Sequence, residues 1–67
     1  MSQPIPARIS DEGRVATWNP AMTFAQQVVV RVRLADGSVD ERRSMNSGRA
    51  RVRAPETIEA ILADELL

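Results

Sequence analysis

The side chains able to do chemistry in this chain are nine arginines and nine carboxylates, with almost nothing beside them. Lysine, histidine, cysteine and tyrosine are absent. Without histidine or cysteine, most nucleophile–base pairs and the usual transition-metal sites are gone. Without lysine there is no Schiff base. The three glycines make neither a G-x-G-x-x-G fingerprint nor a P-loop, so no backbone cradle for a phosphate is encoded. Carboxylates adjoin only as sequence neighbours: Asp11-Glu12, Asp40-Glu41 and Asp64-Glu65. Neighbours on a strand point to opposite faces, so Asp40 and Glu41 cannot converge on one substrate atom. The reading is a chain that is not an enzyme and holds no metal and no cofactor.

What remains is recognition by guanidinium groups, which present planar donor forks to carboxylates and phosphates. Seven of the nine arginines fall between Gln27 and Ala54, against the acids Asp36, Asp40 and Glu41. The last twelve residues hold four acids and no base. An arginine-only cation set also fits GC-rich coding.

Strands must position these arginines. From Met22 the chain alternates, and Gln26–Leu34 reads as a strand with Val28, Val30, Val32 and Leu34 inward and Arg31 and Arg33 outward. Asp36-Gly37 is a hairpin-turn signal returning the chain along Val39–Asn46. A two-residue loop sets Leu34 opposite Val39, Arg33 opposite Asp40 and Val28 opposite Met45. A three-residue loop instead sets Val32 opposite Asp40 and Val28 opposite Ser44. The first is preferred, because it places Val39 and Met45 on the apolar face and pairs Arg33 with Asp40. After Asn46-Ser47-Gly48 a third strand, Arg49–Ala54, alternates Arg49, Arg51 and Arg53 outward with Ala50, Val52 and Ala54 inward. On this reading Arg31, Arg33, Arg42, Arg49, Arg51 and Arg53 form one arginine face, relieved mainly by Asp40.

Pro55 then opens a predicted C-terminal helix with Glu56 and Glu59 in its first turns, and Ile58, Ile61, Leu62 and Leu66 as its apolar stripe. Glu65 interrupts that stripe, so either the helix frays before Asp64 or these carboxylates reach an arginine. Upstream, Ala7–Ile9 and Arg14–Trp18 allow a short first hairpin with Gly13 at a positive φ. Asn19 and Pro20 allow a capped helical turn. Trp18 and Phe24, the only aromatic residues, are expected in the core.

The expected fold is α+β. A small antiparallel sheet of three main strands, with the N-terminal hairpin as an optional addition, carries one C-terminal α-helix on one face. Residues 1–6, with Pro4 and Pro6, read as a flexible arm, and 7–67 as a single domain. A chain of 67 residues buries only about 60% of the surface it exposes when unfolded. With no cysteine to staple it, association with another molecule becomes attractive. No apolar run is long enough to span a membrane, and a cytoplasmic setting is expected.

The functional expectation is a protein-interaction module that occupies a partner's acidic surface. Its concrete form, by analogy of size and composition, is a phage or mobile-element inhibitor of a bacterial enzyme or defence complex. A homodimer, with the acidic helix of a second copy over the arginines, is a further expectation. The alternatives are a nucleic-acid binder using the arginine face, and a small structural subunit of a larger assembly. Zero net charge and the lack of stacking rings weigh against nucleic acid.

Overall fold

The computed structural model describes residues 3–64. The chain runs β1 (Gln3–Pro4), β2 (Ala7–Ser10), β3 (Val15–Trp18), a 3-10 turn (Pro20–Met22), β4 (Gln27–Arg33), β5 (Val39–Met45), β6 (Arg49–Arg51) and β7 (Thr57–Ala63). Two antiparallel sheets result. The larger has the order β1-β7-β4-β5 and the smaller β2-β3-β6. Their inner faces meet in one core: Val28, Val30, Val32, Ile58, Ile61 and Ala63 from the large sheet, Ala16, Trp18 and Val52 from the small one, and Ile5 between.

The expected α+β architecture is therefore corrected to all-β. The segment assigned to the C-terminal helix is strand β7, which runs along the centre of the large sheet between β1 and β4. The error has a physical cause. Arg31 pairs with Ala60 and Val32 with Ile58, so a bulge leaves Glu59 without an opposite residue. The bulge brings Ile58 and Ile61, three residues apart, onto the same inner face, which reproduces a helical spacing. Leu62 is 7% exposed yet lies outside the core cluster, as expected for a residue on the opposite face of the sheet from Ile61. The small sheet covers the apolar face that a helix was expected to cover. Leu66, of the predicted stripe, and Glu65, expected to interrupt it, lie outside the described residues.

The hairpin joining β4 and β5 exists, but its preferred register is also corrected. Arg33 lies opposite Val39, Val32 opposite Asp40 and Val28 opposite Ser44, the three-residue-loop alternative. Asp36 explains the choice. Its carboxylate accepts from the Ser38 N–H at 2.9 Å and the Ser38 hydroxyl at 2.6 Å. Gly37 alone in this loop takes a positive φ, +89°, whereas a two-residue type I′ turn needs two such residues. The same Ser38 bonds hold the Asp36 carboxyl below the usual range. A shift of one residue reverses every face of β5. Asp40, Arg42 and Ser44 point inward with the valines, and Val39, Glu41, Arg43 and Met45 point outward.

The first hairpin and the capped turn are present. β2 and β3 form a first hairpin turning through Asp11, Glu12 and Gly13, all at positive φ. Asn19 Oδ1 accepts from Ala21 N–H at 3.0 Å and caps the 3-10 turn, with Pro20 at its first position. Within the segment expected as an arm, Gln3–Pro4 pairs with β7 and Ile5 is buried. Trp18 is buried as expected. Phe24 is fully exposed, which corrects its assignment to the core. Among the described residues no helix is long and apolar enough to cross a membrane.

Candidate functional site

The six arginines expected on one face are divided by the structure into two groups. β6 does not neighbour β5; it pairs with β3 in the other sheet. Arg31 and Arg33 stay on the outer face of the large sheet, and Arg42 turns to the inner side. All three are engaged within the chain. Arg31 lies 2.9 Å from Glu41 across the hairpin. Arg33 lies 2.7 Å from Glu59, the bulged residue, and donates to Gly37 O at 2.6 Å. Arg42 places Nη1 and Nη2 on the two carboxylate oxygens of Glu56 at 3.0 and 2.7 Å, and Nε on Asp40 at 3.0 Å. These bonds push Arg42 above its ordinary pKa and hold the Glu56 carboxyl below the usual range. Glu56 and Glu59, acids of the supposed helix, are thus engaged by arginines of the same chain. Asp64 joins them, 3.1 Å from Arg43.

The second group behaves differently. Among the described residues, Arg49, Arg51 and Arg53 have no carboxylate within 4.0 Å, and neither does Arg8. The register of the small sheet gathers them. Thr17 lies opposite both Arg8 and Arg49, and Val15 opposite both Ser10 and Arg51. Side chains in register share a face. Ala16 and Ala50, one position away, point into the core, so both rows lie on the outer face. Arg8 and Arg49 flank Thr17 two strand spacings apart, roughly 10 Å. Val15, in the second row, is 7% exposed and lies outside the core cluster. Arg53 lies beyond the end of β6, and with Arg51 and the Asp11–Arg14 pair it lines an open hollow of about 360 Å³.

Arg8 escaped the sequence reading. Its signal was the alternation of the first hairpin, which sets it beside Thr17. In comparisons with family models, curated proteins and solved structures, none matches this chain. The chemistry of the site therefore rests on its own residues. Four guanidinium groups and the hydroxyls of Ser10 and Thr17 form a donor surface whose arginines meet no carboxylate within 4.0 Å among the described residues. Such a surface can hold carboxylates or phosphates in bidentate fashion.

Proposed function

We propose that this chain is a non-catalytic protein-interaction module that docks the outer face of its small sheet on an acidic protein surface. The observation that supports this reading is the division of the arginines. The large sheet neutralises its own, whereas Arg8, Arg49, Arg51 and Arg53 meet no carboxylate among the described residues. Desolvated guanidinium–carboxylate contacts of this kind set orientation and partner choice. Zero net charge favours a local partner patch over a long polyanion. No aromatic ring stands in the Arg8–Thr17–Arg49 or Ser10–Val15–Arg51 rows to stack a base, and Trp18 is in the core. The mode of action that fits a chain without catalytic groups is occupancy: it covers a partner's surface, as an inhibitor does. A cytoplasmic setting suits a chain without cysteine.

The test is a titration of the full chain at low salt with a Glu- and Asp-rich model peptide and, separately, with a DNA duplex. Saturable peptide binding that is lost in Arg8→Glu/Arg51→Glu, with the circular dichroism unchanged, supports the proposal. Preferential DNA binding with a steep salt dependence would convert it to the nucleic-acid reading. Binding to neither would make the face solvated surface.

A further inference from the structure

β5 is the terminal strand of the large sheet. On that side the sheets part, leaving a groove of about 330 Å³ over Val30, Val32 and Val52. Its backbone pattern can be read from the two ends of the hairpin. Leu34 N–H donates to Ser38 O at 2.8 Å, and Asn46 N–H to Gln26 O at 3.0 Å. In an antiparallel ladder such pairs recur at every second residue. Asp40, Arg42 and Ser44 therefore direct their N–H and C=O groups to β4. Val39, Glu41, Arg43 and Met45 direct theirs away from the sheet. Met45 O is taken by Ser47 N–H at 2.8 Å. Val39, Glu41 and Arg43 thus present a short free edge.

We infer that this edge pairs with the same edge of a second copy, joining two large sheets across a two-fold axis at Arg42. Backbone geometry allows few registers, because outward-directed residues must oppose outward-directed residues for the two edges to exchange hydrogen bonds. Centring on Glu41 opposes two carboxylates, and centring on Arg43 opposes two guanidinium groups at a hydrogen-bonded pair. Both are unfavourable. Centring on Arg42 sets Glu41 against Arg43 of the second copy, twice by symmetry. It also sets Val39 against Met45 of the copy, and these are 45% and 64% exposed in the single chain. The segment Val39-Asp40-Glu41-Arg42-Arg43-Ser44-Met45 is thus self-complementary in charge and apolarity, as an isologous interface requires.

The surrounding pairs extend the match. Glu41 already holds Arg31 at 2.9 Å, and Arg43 already approaches Asp64 at 3.1 Å. The pairing links these into an alternating row, Arg31, Glu41, then Arg43 and Asp64 of the copy. The cost is Arg42 opposite itself at the axis. Each Arg42 is held by Asp40 and Glu56, which offsets that cost. Charged residues on an edge strand usually discourage pairing. Here both signs occur, placed symmetrically, so they select one register. The paired edge belongs to the large sheet and leaves the arginine face of the small sheet free.

Sedimentation equilibrium of the full chain should show a dimer that forms with rising concentration. Glu41→Arg and Arg43→Glu should each weaken it at least about tenfold, since each opposes like charges. An equal mixture of the two variants should associate again, because each then supplies the charge the other needs. The chain has no cysteine, so a single crosslink can be placed. Arg42 at the axis would sit in a non-hydrogen-bonded pair with Cα atoms about 4.5 Å apart, within disulfide reach. Arg42→Cys should therefore oxidise to a covalent dimer, and Glu41→Cys should not. A wild-type chain that stays monomeric at high concentration overturns the inference. So does a dimer indifferent to both charge reversals, or equal crosslinking at positions 41 and 42.

Discussion

The indole N–H of Trp18, at the end of β3, donates to Oδ1 of Asn46, just after β5, at 2.8 Å. One side chain thereby ties the small sheet to the large one. Asn46 Nδ2 also donates to the carbonyls of Pro20 and Ala25, at 3.0 and 3.1 Å. The loop between β3 and β4 is thus fastened to the same residue. Asn46→Ala leaves the indole N–H and the Ala25 carbonyl, both partly buried, without partners. The expected loss is about 2–3 kcal/mol. Urea unfolding followed by the fluorescence of the single tryptophan checks it.

Two glycines should respond unequally to alanine. Both Gly13 and Gly37 have positive φ, +88° and +89°. At Gly37 an added Cβ meets nothing within 4 Å, so only the backbone cost of about 1 kcal/mol applies. At Gly13 the Cβ would fall 3.0 Å from Thr57 Cβ, where β7 begins. Gly13→Ala should cost about 3 kcal/mol. Thermal unfolding of the two variants compares them directly, and equal losses would show that Thr57 gives way.

Acid should weaken the fold through Glu56. Its pKa is lower folded than unfolded, so its contribution is fully present above the unfolded value, about 4.3. It is lost as pH falls below that and through the folded value. Glu56→Gln should flatten the loss of stability below about pH 4.3. The pair is open to water, so added salt should shrink the difference. Denaturant midpoints across this pH range, with and without salt, measure both.

The internally paired arginines should be dispensable for binding. Arg31→Gln with Arg33→Gln should change acidic-peptide affinity by no more than about twofold, because Glu41 and Glu59 already occupy those forks. Arg8→Gln with Arg51→Gln should lower it at least about tenfold, in line with about 1 kcal/mol or more per charge-assisted contact. Calorimetric titration of the two double variants decides where the acceptor surface lies.

Phe24, fully exposed, should tolerate a polar replacement. Phe24→Ser should leave the unfolding free energy within about 0.5 kcal/mol, as chemical denaturation would show.

What the sequence revealed was what single residues decide. Gly13 and Gly37 marked their turns because left-handed backbone is costly for other residues, and the β-branched run Val28–Val32 excluded a helix. What it concealed depended on counting by one. The bulge at Glu59 made Ile58 and Ile61 look helical, since one extra residue converts a period of two into a step of three. The Asp36–Ser38 bonds added one residue to the loop and turned Arg42 inward. At the site, the alternation of Arg49, Arg51 and Arg53 was legible. Arg8 was not, because its significance comes from Thr17, which joins two strands distant in sequence.

The uneven pairing of the arginines gives a neutral molecule a front and a back. With no net charge, it feels no overall pull toward an anionic body. It feels a torque instead, because among the described residues Arg8, Arg49, Arg51 and Arg53 meet no carboxylate, while the rest of the sequence sets five arginines against nine acids. Such a molecule would rotate before touching, arriving small sheet first. Its encounters would gain in aim rather than in frequency, and ionic strength would act mainly on how many of them are correctly oriented.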